Sequence, residues 1–425
     1  MRALAIAALV AGCSDQVGTI QLGLTNAPGS TLLDTVSLLR VTLTNPRQVI
    51  EAPRTERGFD LAFELEAADE TGALIVEGLD DGGALVAAGQ SPSFPVSAID
   101  ARIVVYMATP MSIGLAPNGL GTPRKDVSGA RLSYGAILAG GADAADVPSS
   151  AIAVYNSFDH SLAGGMPMPG PRRGVTLATD STPNVFVFGG SGPEGPTGTL
   201  WLFNTGIAPA GAYQILSDQP ATSRTGETAV AVGPSHFLIT GTPPLELQLG
   251  QLAARTDLAA LPRSSASQTG SDGVVTALFA GAEGVIRYRA DAFETVSADP
   301  RPGASVVALA DNRFLVIGGE TRDALVVDAI TGVVTTLPNA LAVVRQAASA
   351  AATARHVVIS GGVAMDGTPH ADAEVLDANT LAPLASLPAR ERTAGFAIAF
   401  PNDQIMIGGG TAASGDLELF TPPPP

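Results

Sequence analysis

The stretch that decides the fold is Ala304-Ser-Val-Val-Ala-Leu309, then Asp311-Asn-Arg313, then Phe314-Leu-Val-Ile-Gly-Gly319. Two apolar runs of strand length flank a short polar turn, which is the pattern of a β-hairpin. The second run ends in a pair of glycines, and Arg301 precedes the last glycine by 18 residues. The same plan returns near the C-terminus, where residues 394–400 and 405–409 flank a Pro-Asn-Asp turn.

This plan occurs seven times between residues 111 and 421, and self-similarity of this kind indicates a repeat architecture. The glycine ends lie 49, 51, 40, 38, 43 and 47 residues apart. In each unit an arginine precedes the last glycine by 17 or 18 residues. The glycine ends are Gly141, Gly190, Gly241, Gly281, Gly319, Gly362 and Gly409, and the arginines are Arg124, Arg173, Arg224, Arg263, Arg301, Arg345 and Arg392.

Each unit has room for two further strands after its glycine end. A third apolar run, such as residues 325–328, often ends in Asp or Asn, and a fourth closes at Leu-Pro, as at residues 337–338. Four strands in about 45 residues are the pattern of one β-propeller blade. The sequence therefore predicts an all-β fold in which residues 111–421 form a seven-bladed propeller, followed by a proline tail, residues 422–425.

The last blade lacks a fourth strand of its own, because the chain reaches the prolines directly after the third strand. Residues 111–116 precede the first unit and have the right place to supply that strand. We expect this pairing to close the ring, which would remove the exposed edge strands of an open one.

The combined pattern resembles the kelch repeat: an arginine, a strand of small residues, a strand ending in Gly-Gly, a strand ending in Asp or Asn, and Leu-Pro. The resemblance covers about three-quarters of the chain. The tryptophan that the family carries on the fourth strand is missing, Trp201 lies on a third strand, and units three and four lack a complete glycine pair. The resemblance therefore implies a kelch-like propeller and not any particular kelch activity.

Residues 19–110 alternate apolar and polar residues between turn signals, which predicts a small β-sandwich domain. Phe59, Leu61, Phe63 and Leu65 repeat with period two, so one face of that strand is expected to be buried. The domain would serve as a spacer or docking unit, or as a sugar-binding sandwich. The predicted strands are residues 19–24, 38–43, 59–66, 73–78, 84–88 and 103–108.

The N-terminus has the features of an export signal. Arg2 precedes an apolar run, residues 3–10, that is too short to span a bilayer. Val10-Ala11-Gly12-Cys13 resembles the lipobox of bacterial lipoproteins. The resemblance implies a lipoprotein signal peptide (residues 1–12), lipid attachment at Cys13, an acylated tether (residues 13–18) and a place in the cell envelope, at the outer membrane. A plain signal peptide that happens to contain a cysteine is the alternative.

Composition excludes several classes of protein. Hydrophobic residues make up 46% of the chain and charged residues 15%, which excludes disorder. One cysteine excludes an internal disulfide framework. The net charge of −17, with Lys125 the only lysine, disfavours nucleic-acid binding. No motif for a cofactor or a closed zinc site is present, and we expect neither.

Two sets of residues are candidates for ligand binding. The seven arginines begin the innermost strands near the channel mouth, where guanidinium groups could clamp carboxylates or phosphates. The alternative, which their regular recurrence favours, is that each arginine bonds loop carbonyls. Asp366 and His370 lie near Asp372 and Glu374, in a cluster that could bind a divalent cation weakly. The turn histidines, His236 and His356, are expected to be solvated.

An enzyme is the less favoured interpretation. The copper-radical oxidases of kelch architecture need a cysteine, and here the resemblance to lipoproteins assigns it to the lipid. The repeated Asp boxes of sialidases are absent, and no pair of carboxylates stands out as an acid–base couple. A carbohydrate-active enzyme, resembling sugar epimerases of kelch architecture, stays open as the alternative. It would use arginines such as Arg301 and Arg345 at the channel mouth.

The loops that leave the glycine ends differ in length. The longest are residues 142–151, 191–198, 363–372 and 410–416, which belong to units that are neighbours in a closed ring. They are rich in Asp, Gly, Ser and Pro and poor in aromatic residues. Because loops on a rigid scaffold often carry recognition, we expect a non-catalytic propeller that binds an envelope protein or glycan through this arc. Neutral insertion is the alternative explanation.

Overall fold

The computed structural model describes residues 17–56, 58–59, 62–66, 70–96, 102–180 and 182–425. These residues form an all-β structure whose helices are two short 3₁₀ turns, Leu32–Thr35 and Pro220–Thr222. None of the helices in these ranges is long and apolar enough to cross a membrane. The predicted signal peptide and Cys13 lie outside the described residues.

The larger part of the chain forms seven four-stranded antiparallel sheets, numbered 1 to 7 in the order of their first strands. Sheet 1 consists of Ser128–Leu132, Gly135–Ala139, Ile152–Asn156 and Leu162–Gly164. Sheet 2 consists of Thr176–Thr179, Asn184–Phe188, Thr199–Asn204 and Ala212–Asp218. Sheet 3 consists of Ala229–Gly233, His236–Ile239, Leu245–Gln248 and Gln251–Ala254. Sheet 4 consists of Ser264–Thr269, Val275–Gly281, Gly284–Arg289 and Ala292–Ser297. Sheet 5 consists of Ala304–Ala308, Arg313–Gly318, Ala324–Asp328 and Val334–Leu337. Sheet 6 consists of Ser349–Ala352, His356–Ser360, Asp372–Asp377 and Pro383–Pro388. Sheet 7 consists of Gly395–Ala399, Ile405–Gly409, Glu418–Thr421 and Ser112–Leu115.

The second strand of each sheet is its most apolar element. Gly135–Ala139, His356–Ser360 and Ile405–Gly409 are buried at every position. A strand that is covered on both faces needs a continuous apolar run and not an alternating one. The neighbouring sheets supply that cover, because a separate hydrophobic cluster fills each of the seven interfaces, from sheets 1 and 2 round to sheets 7 and 1.

The sheets follow one another in a closed cycle. The first strand of each sheet contacts the first strand of the next, and the first strand of sheet 7 contacts that of sheet 1. These strands are built from small residues, as in Ser349–Ala352, so seven of them can approach a common centre. The arrangement is compatible with a propeller-like fold.

An interrupted ring of backbone hydrogen bonds, which we call the backbone ring, joins the starts of the first strands in sheets 1 to 3 and in sheets 5 to 7. In five sheets φ is positive two residues after the unit's arginine, at Asp126, Gly226, Gly303, Ala347 and Ala394, and in sheet 2 it is positive at Gly174, directly after Arg173. The amide of Ala394 donates to the carbonyl of Ala347 (2.9 Å), and the amide of Ala347 donates to that of Gly303 (2.8 Å). Equivalent bonds join Gly226 to Gly174 and Gly174 to Asp126. Sheet 4 makes no such bond within the described chain.

Sheet 7 is completed by a strand from the other end of the repeat region. Ser112–Leu115 pairs antiparallel with Glu418–Thr421, so that Ser112 lies opposite Thr421. The prediction that residues 111–116 supply this strand is confirmed. Both ends of the repeat region are thereby held in one sheet, which leaves no unpaired third strand.

The N-terminal unit has two main sheets that share one core. Val41 and Val76 of the larger sheet and Ile103 and Val105 of the smaller sheet belong to the same buried cluster. In spatial order, the five-stranded sheet is Gly58–Phe59, Gln48–Thr55, Leu38–Leu43, Leu74–Leu79 and Leu85–Gln90; the three-stranded sheet is Arg102–Tyr106, Val17–Thr25 and Ala62–Glu66; and a short ladder joins Thr71–Gly72 to Phe94–Pro95.

One prediction about this unit was wrong, and one strand was missed. The single strand predicted for residues 59–66 is two strands, because Gly58–Phe59 pairs with Gln48–Thr55 whereas Ala62–Glu66 pairs with Val17–Thr25 in the other sheet. Period-two alternation cannot show where a chain changes sheets. Gln48–Thr55 was missed because six of its eight residues are exposed, so it carries no apolar alternation.

The N-terminal unit is joined to sheet 1 through a buried loop. Phe158, between the third and fourth strands of sheet 1, packs on the N-terminal core, and its carbonyl accepts from the amide of Val104 (2.8 Å). His160 is 1% exposed, and its Nε2 accepts the amide N–H of Tyr106 (3.2 Å). Its Nδ1 lies 2.7 Å from Oη of Tyr155. Because Nε2 is the acceptor, the neutral imidazole carries its proton on Nδ1 and donates it to Tyr155.

Candidate functional site

Most of the repeat arginines hold the glycine ends of their own sheets. Nη1 of Arg345 donates to the carbonyl of Gly361 (2.9 Å), and its Nε donates to Oε1 of Glu374 (2.9 Å). The side chain of Arg345 is 0% exposed, so a ligand does not reach it in this conformation. Arg301 is buried too and donates to the carbonyl of Asp323 (3.0 Å). Bonds like that of Arg345 to Gly361 join Arg124 to Gly140, Arg224 to Thr240 and Arg392 to Gly409.

In sheet 2 the equivalent position is held by Arg172, one residue before the predicted Arg173. The left-handed residue of sheet 2 is Gly174, which lies two residues after Arg172, as in the other sheets. The guanidinium of Arg172 lies 5.3 Å from the ring centroid of Trp201. The side chain of Arg173 is 37% exposed instead, and its Nη1 contacts Oδ1 of Asp146.

Sheet 4 departs from the pattern. The side chain of Arg263 is 64% exposed, and its Nη2 lies 3.2 Å from Oε1 of Glu227 in sheet 3. This is one of the two units in which the sequence lacks a complete glycine pair. Its arginine therefore links neighbouring sheets through an exposed ion pair, and does not hold a buried loop.

The structure does not bring Asp366 and His370 into a metal site. Nε2 of His370 lies 2.9 Å from the carbonyl of Val344, so this nitrogen is the donor and has no lone pair for a metal. Oδ1 of Asp366 accepts the amide of Thr368 (3.0 Å), and this bond lowers the pKa of the carboxyl. Within the described ranges, no group of three or more His, Cys, Asp or Glu side chains is placed to hold a metal ion.

The prediction that His356 is solvated was wrong. His356 begins a strand that sheet 7 covers, so it is 5% exposed and its ring lies 5.5 Å from that of Phe420. Burial lowers the pKa of His356. His236 begins the matching strand of sheet 3, is partly exposed, and contacts Oε1 of Glu246 through Nε2 (2.5 Å).

Three of the four long loops form hairpins of one design. We name them hairpin 1 (residues 141–149), hairpin 2 (residues 190–197) and hairpin 6 (residues 362–370), after the sheets that carry them. In each, an amide at the end of the loop donates to the carbonyl of a glycine at its start: Ser149 to Gly141 (2.8 Å), Thr197 to Gly190 (3.0 Å) and His370 to Gly362 (3.0 Å). The loop of sheet 7 makes no such closing bond within the described chain. Its Ser414 pairs with Arg124 of sheet 1 (3.2 Å), as Ser149 pairs with Arg172 and Thr197 with Arg224.

A cavity of about 480 Å³ lies over sheet 7, beside hairpin 6, and we call it the sheet-7 groove. On its other side, the carbonyl of Gly410 accepts the amide of Asp126 (2.8 Å), which places the start of sheet 1 against the groove. The groove falls within the arc of long loops that the sequence indicated. Its lining residues are Pro369, Ala371, Ala389, Arg390, Glu391, Arg392, Thr393, Gly409, Gly410, Thr411, Ala412 and Ser414.

The groove combines hydrogen-bonding groups with short apolar side chains. Arg390 is 52% exposed, and its Nη1 lies 3.1 Å from Oδ2 of Asp416. Arg392 is buried and fixed by Glu418 (3.2 Å), so this part of the groove has a rigid base. No lining side chain is aromatic, so the groove has no stacking platform for a sugar ring.

Sequence reasoning missed Arg172 and Lys125. Arg172, Arg224 and Arg301 are each followed two residues later by glycine, and this Arg-x-Gly signal would have placed Arg172 in register. Lys125 and Arg173 then occupy matching positions, directly after Arg124 in sheet 1 and Arg172 in sheet 2. No protein-family model matches the chain, and no curated protein is significantly similar to it. The function is therefore argued from the geometry of the described residues.

Proposed function

We propose that this protein is a non-catalytic recognition module of the cell envelope. Its seven sheets are the blades of a kelch-like β-propeller, preceded by a β-sandwich, and the chain is held at the outer membrane by lipid on Cys13. The module binds a segment of a partner protein in the sheet-7 groove. The observation that carries the proposal is that groove, formed where hairpin 6 meets the hairpin-free loop of sheet 7.

The rigid base of the groove supports a binding role. A site that is held in place before the ligand arrives loses little entropy on binding. Here Arg392 and Glu418 form a buried ion pair below the groove, and the closed cycle of sheets limits movement of the strands that carry it. Hairpins on neighbouring sheets differ in sequence, which is how a repeated scaffold acquires a specific surface.

The anchor is supported by the sequence alone. The chain's single cysteine falls at the position that the lipobox resemblance assigns to acylation. Several acyl chains would hold the protein on a membrane, since each buried CH₂ contributes about 0.8 kcal/mol.

A protein partner is favoured over the other classes by specific contacts. The absence of aromatic side chains among the groove's lining residues disfavours a glycan. Arg301 and Arg345, which an epimerase-like enzyme would use at the channel mouth, are buried within their own sheets. The sheet-7 groove therefore favours a protein partner over both a glycan ligand and an epimerase-like enzyme.

The proposal is tested by crosslinking in intact cells. A photoreactive amino acid replaces Ala412, which lines the groove and is exposed, and a control chain carries it at Leu249, which is 77% exposed outside the groove. We expect a discrete protein adduct from position 412 that is absent from position 249. An Ala371→Trp substitution, which fills the groove from the residue directly after hairpin 6, should remove the adduct.

Three results would contradict the proposal. These are identical adducts from both positions, an adduct from position 412 that survives Ala371→Trp, and the absence of any protein adduct. Capture of saccharide alone from position 412 would reject the protein partner in favour of a glycan.

A further inference from the structure

Lys125 and Arg173 occupy the same register position in neighbouring sheets. Lys125 directly follows Arg124, and Arg173 directly follows Arg172. Each also exchanges backbone hydrogen bonds with the start of its own hairpin, Lys125 with Ala142 and Arg173 with Ser191. The residues at this position in sheets 3, 5, 6 and 7 are uncharged: Thr225, Pro302, Gln346 and Thr393. The two cations are therefore a local feature of sheets 1 and 2.

Both cations converge on one oxygen of the chain itself. Nζ of Lys125 lies 3.0 Å from Oδ1 of Asp146 in hairpin 1, and Nη1 of Arg173 contacts the same oxygen. Oδ2 of Asp126 lies 3.9 Å from Nη1 of Arg173. The two cations lower the pKa of the Asp146 carboxyl, with the bond from Lys125 the larger cause. When two cations contact the same carboxylate oxygen, they form a carboxylate-binding site, and here the carboxylate of Asp146 fills that site.

The side chain that fills this site, Asp146, is exposed, and Arg173 has hydrogen-bond donors that remain available. The side chain of Asp146 is 57% exposed, so it can leave without opening a core. Nε and Nη2 of Arg173 have no hydrogen-bond partner among the described residues. That free edge can take a second carboxylate oxygen in the paired geometry that arginine favours.

We propose that Lys125 and Arg173 form a binding site for a carboxylate group of a peptide ligand, and that Asp146 occupies this site when the ligand is absent. Hairpin 1 then acts as an internal competitor, which the ligand's acidic side chain displaces. The ligand must bring a local carboxylate and not a polyanion, because the chain's net charge of −17 repels extended negative charge.

The site lies at the edge of the sheet-7 groove. Lys125 stands between Arg124, whose carbonyl accepts the amide of Ser414, and Asp126, whose amide donates to Gly410. Ser414 and Gly410 both line the groove. This inference rests on the proposed function in one respect, that the carboxylate belongs to the peptide bound there.

The test uses two small probes and the full chain. The probes are acetyl-Gly-Glu-Gly-amide and acetyl-Gly-Gln-Gly-amide, and binding is measured by calorimetry at low salt, where exposed charges are least screened. Asp146→Asn removes the competitor, and asparagine tolerates the left-handed backbone at this position (φ 65°). We expect Asp146→Asn to bind the glutamyl probe about fivefold more tightly than the wild type, the gain that follows from releasing exposed ion pairs.

Matched variants complete the design. Adding Arg173→Gln to Asp146→Asn should abolish the preference for the glutamyl probe over the glutaminyl probe. Asp366→Asn on hairpin 6 removes a carboxylate that contacts neither cation, and should bind like the wild type.

The outcomes separate this inference from the proposed function. Equal affinity of Asp146→Asn for both probes, or no gain over the wild type, overturns the carboxylate site even if crosslinking from position 412 succeeds. Tighter binding of glucuronate than of the glutamyl probe overturns the peptide assignment. Probe binding as expected supports the site whether or not the cellular adduct is found.

Discussion

Acidification is expected to destabilise the protein through His160. Its imidazole is buried between the N-terminal unit and sheet 1, where Nε2 accepts an amide N–H from Tyr106 and Nδ1 contacts the hydroxyl of Tyr155. Protonation would place an N–H against the amide N–H of Tyr106. Burial lowers the pKa of His160 from 6.5 to about 4. The negative charge of Asp159 raises this pKa, but its effect is smaller than that of burial.

The magnitude follows from this shift. The unfolded chain binds a proton at His160 between pH 6.5 and 4 and the folded chain does not, so stability falls as the pH falls through that window. At about 1.4 kcal/mol for each pKa unit, the full loss is about 3 kcal/mol below pH 4. Between pH 7 and pH 5 the loss is about 2 kcal/mol, in a range where free carboxyl groups stay ionised.

The assay is urea unfolding at pH 7 and pH 5, followed by the fluorescence of Trp201, the chain's only tryptophan. His160→Asn removes the titrating ring, and asparagine suits the positive φ of 55° at this position. This variant should lose about 2 kcal/mol less than the wild type between the two pH values.

The control is Asn118→Ala, which removes a hydrogen bond from Nδ2 to the carbonyl of His160 (2.9 Å) and no titrating group. It should lower stability by about 1 kcal/mol equally at both pH values. The argument is refuted if His160→Asn loses as much stability as the wild type on acidification.

Three further predictions concern the arginines, the backbone ring and the hairpins. Arg345→Met should cost about 3–5 kcal/mol in urea unfolding, because it leaves the buried Glu374 without its cation, whereas Arg263→Gln, at a 64% exposed site, should change stability by less than about 0.5 kcal/mol. A similar loss in both variants would show that burial does not set the role of these arginines. Ala347→Gly should raise stability by about 0.5–1 kcal/mol, because alanine is strained at φ 51° and glycine is not, and a loss of stability would contradict the backbone ring as described. Replacing hairpin 6 by a short turn should remove the crosslinked adduct from position 412 while the urea midpoint changes little, since residues 365–369 are exposed; an unchanged adduct would exclude hairpin 6 from the contact surface.

The fold could be predicted in outline because its signals are local and repeated. Each second strand is a continuous apolar run that ends in glycine, and the glycines at these ends, such as Gly318 and Gly319, take positive φ. A residue with a side chain is strained in this conformation, so glycine occupies these positions and marks the strand ends in the sequence. The closing strand, Ser112–Leu115, was predictable because the last sheet had only three strands of its own.

The errors occurred where a local pattern does not determine a distant partner. The change of sheets between Phe59 and Ala62 leaves the period of two intact, so no signal marks it. The burial of His356 depends on sheet 7, which follows more than thirty residues later in the chain. Arg173 was chosen over Arg172 because adjacent arginines fit the spacing equally, and only the left-handed Gly174 separates them.

The candidate site was predicted as a region and not as a set of residues. Loop length indicated the arc that contains the sheet-7 groove, because insertions can be read from the spacing of the repeats. The groove itself depends on the sheet-7 loop lacking the closing bond that its neighbour has, the amide of His370 to the carbonyl of Gly362, and loop length does not show this. The role of Lys125 depends on the register of two sheets, which a single sequence does not display.

The central claim, recognition in the sheet-7 groove, is tested most directly by amide hydrogen exchange with and without the partner that crosslinking identifies. The account predicts added protection in residues 390–393, 409–414 and 363–370, with the outer strands of sheets 3 and 4 unchanged. Protection that spares these three segments, or that falls mainly on sheets 3 and 4, would contradict it.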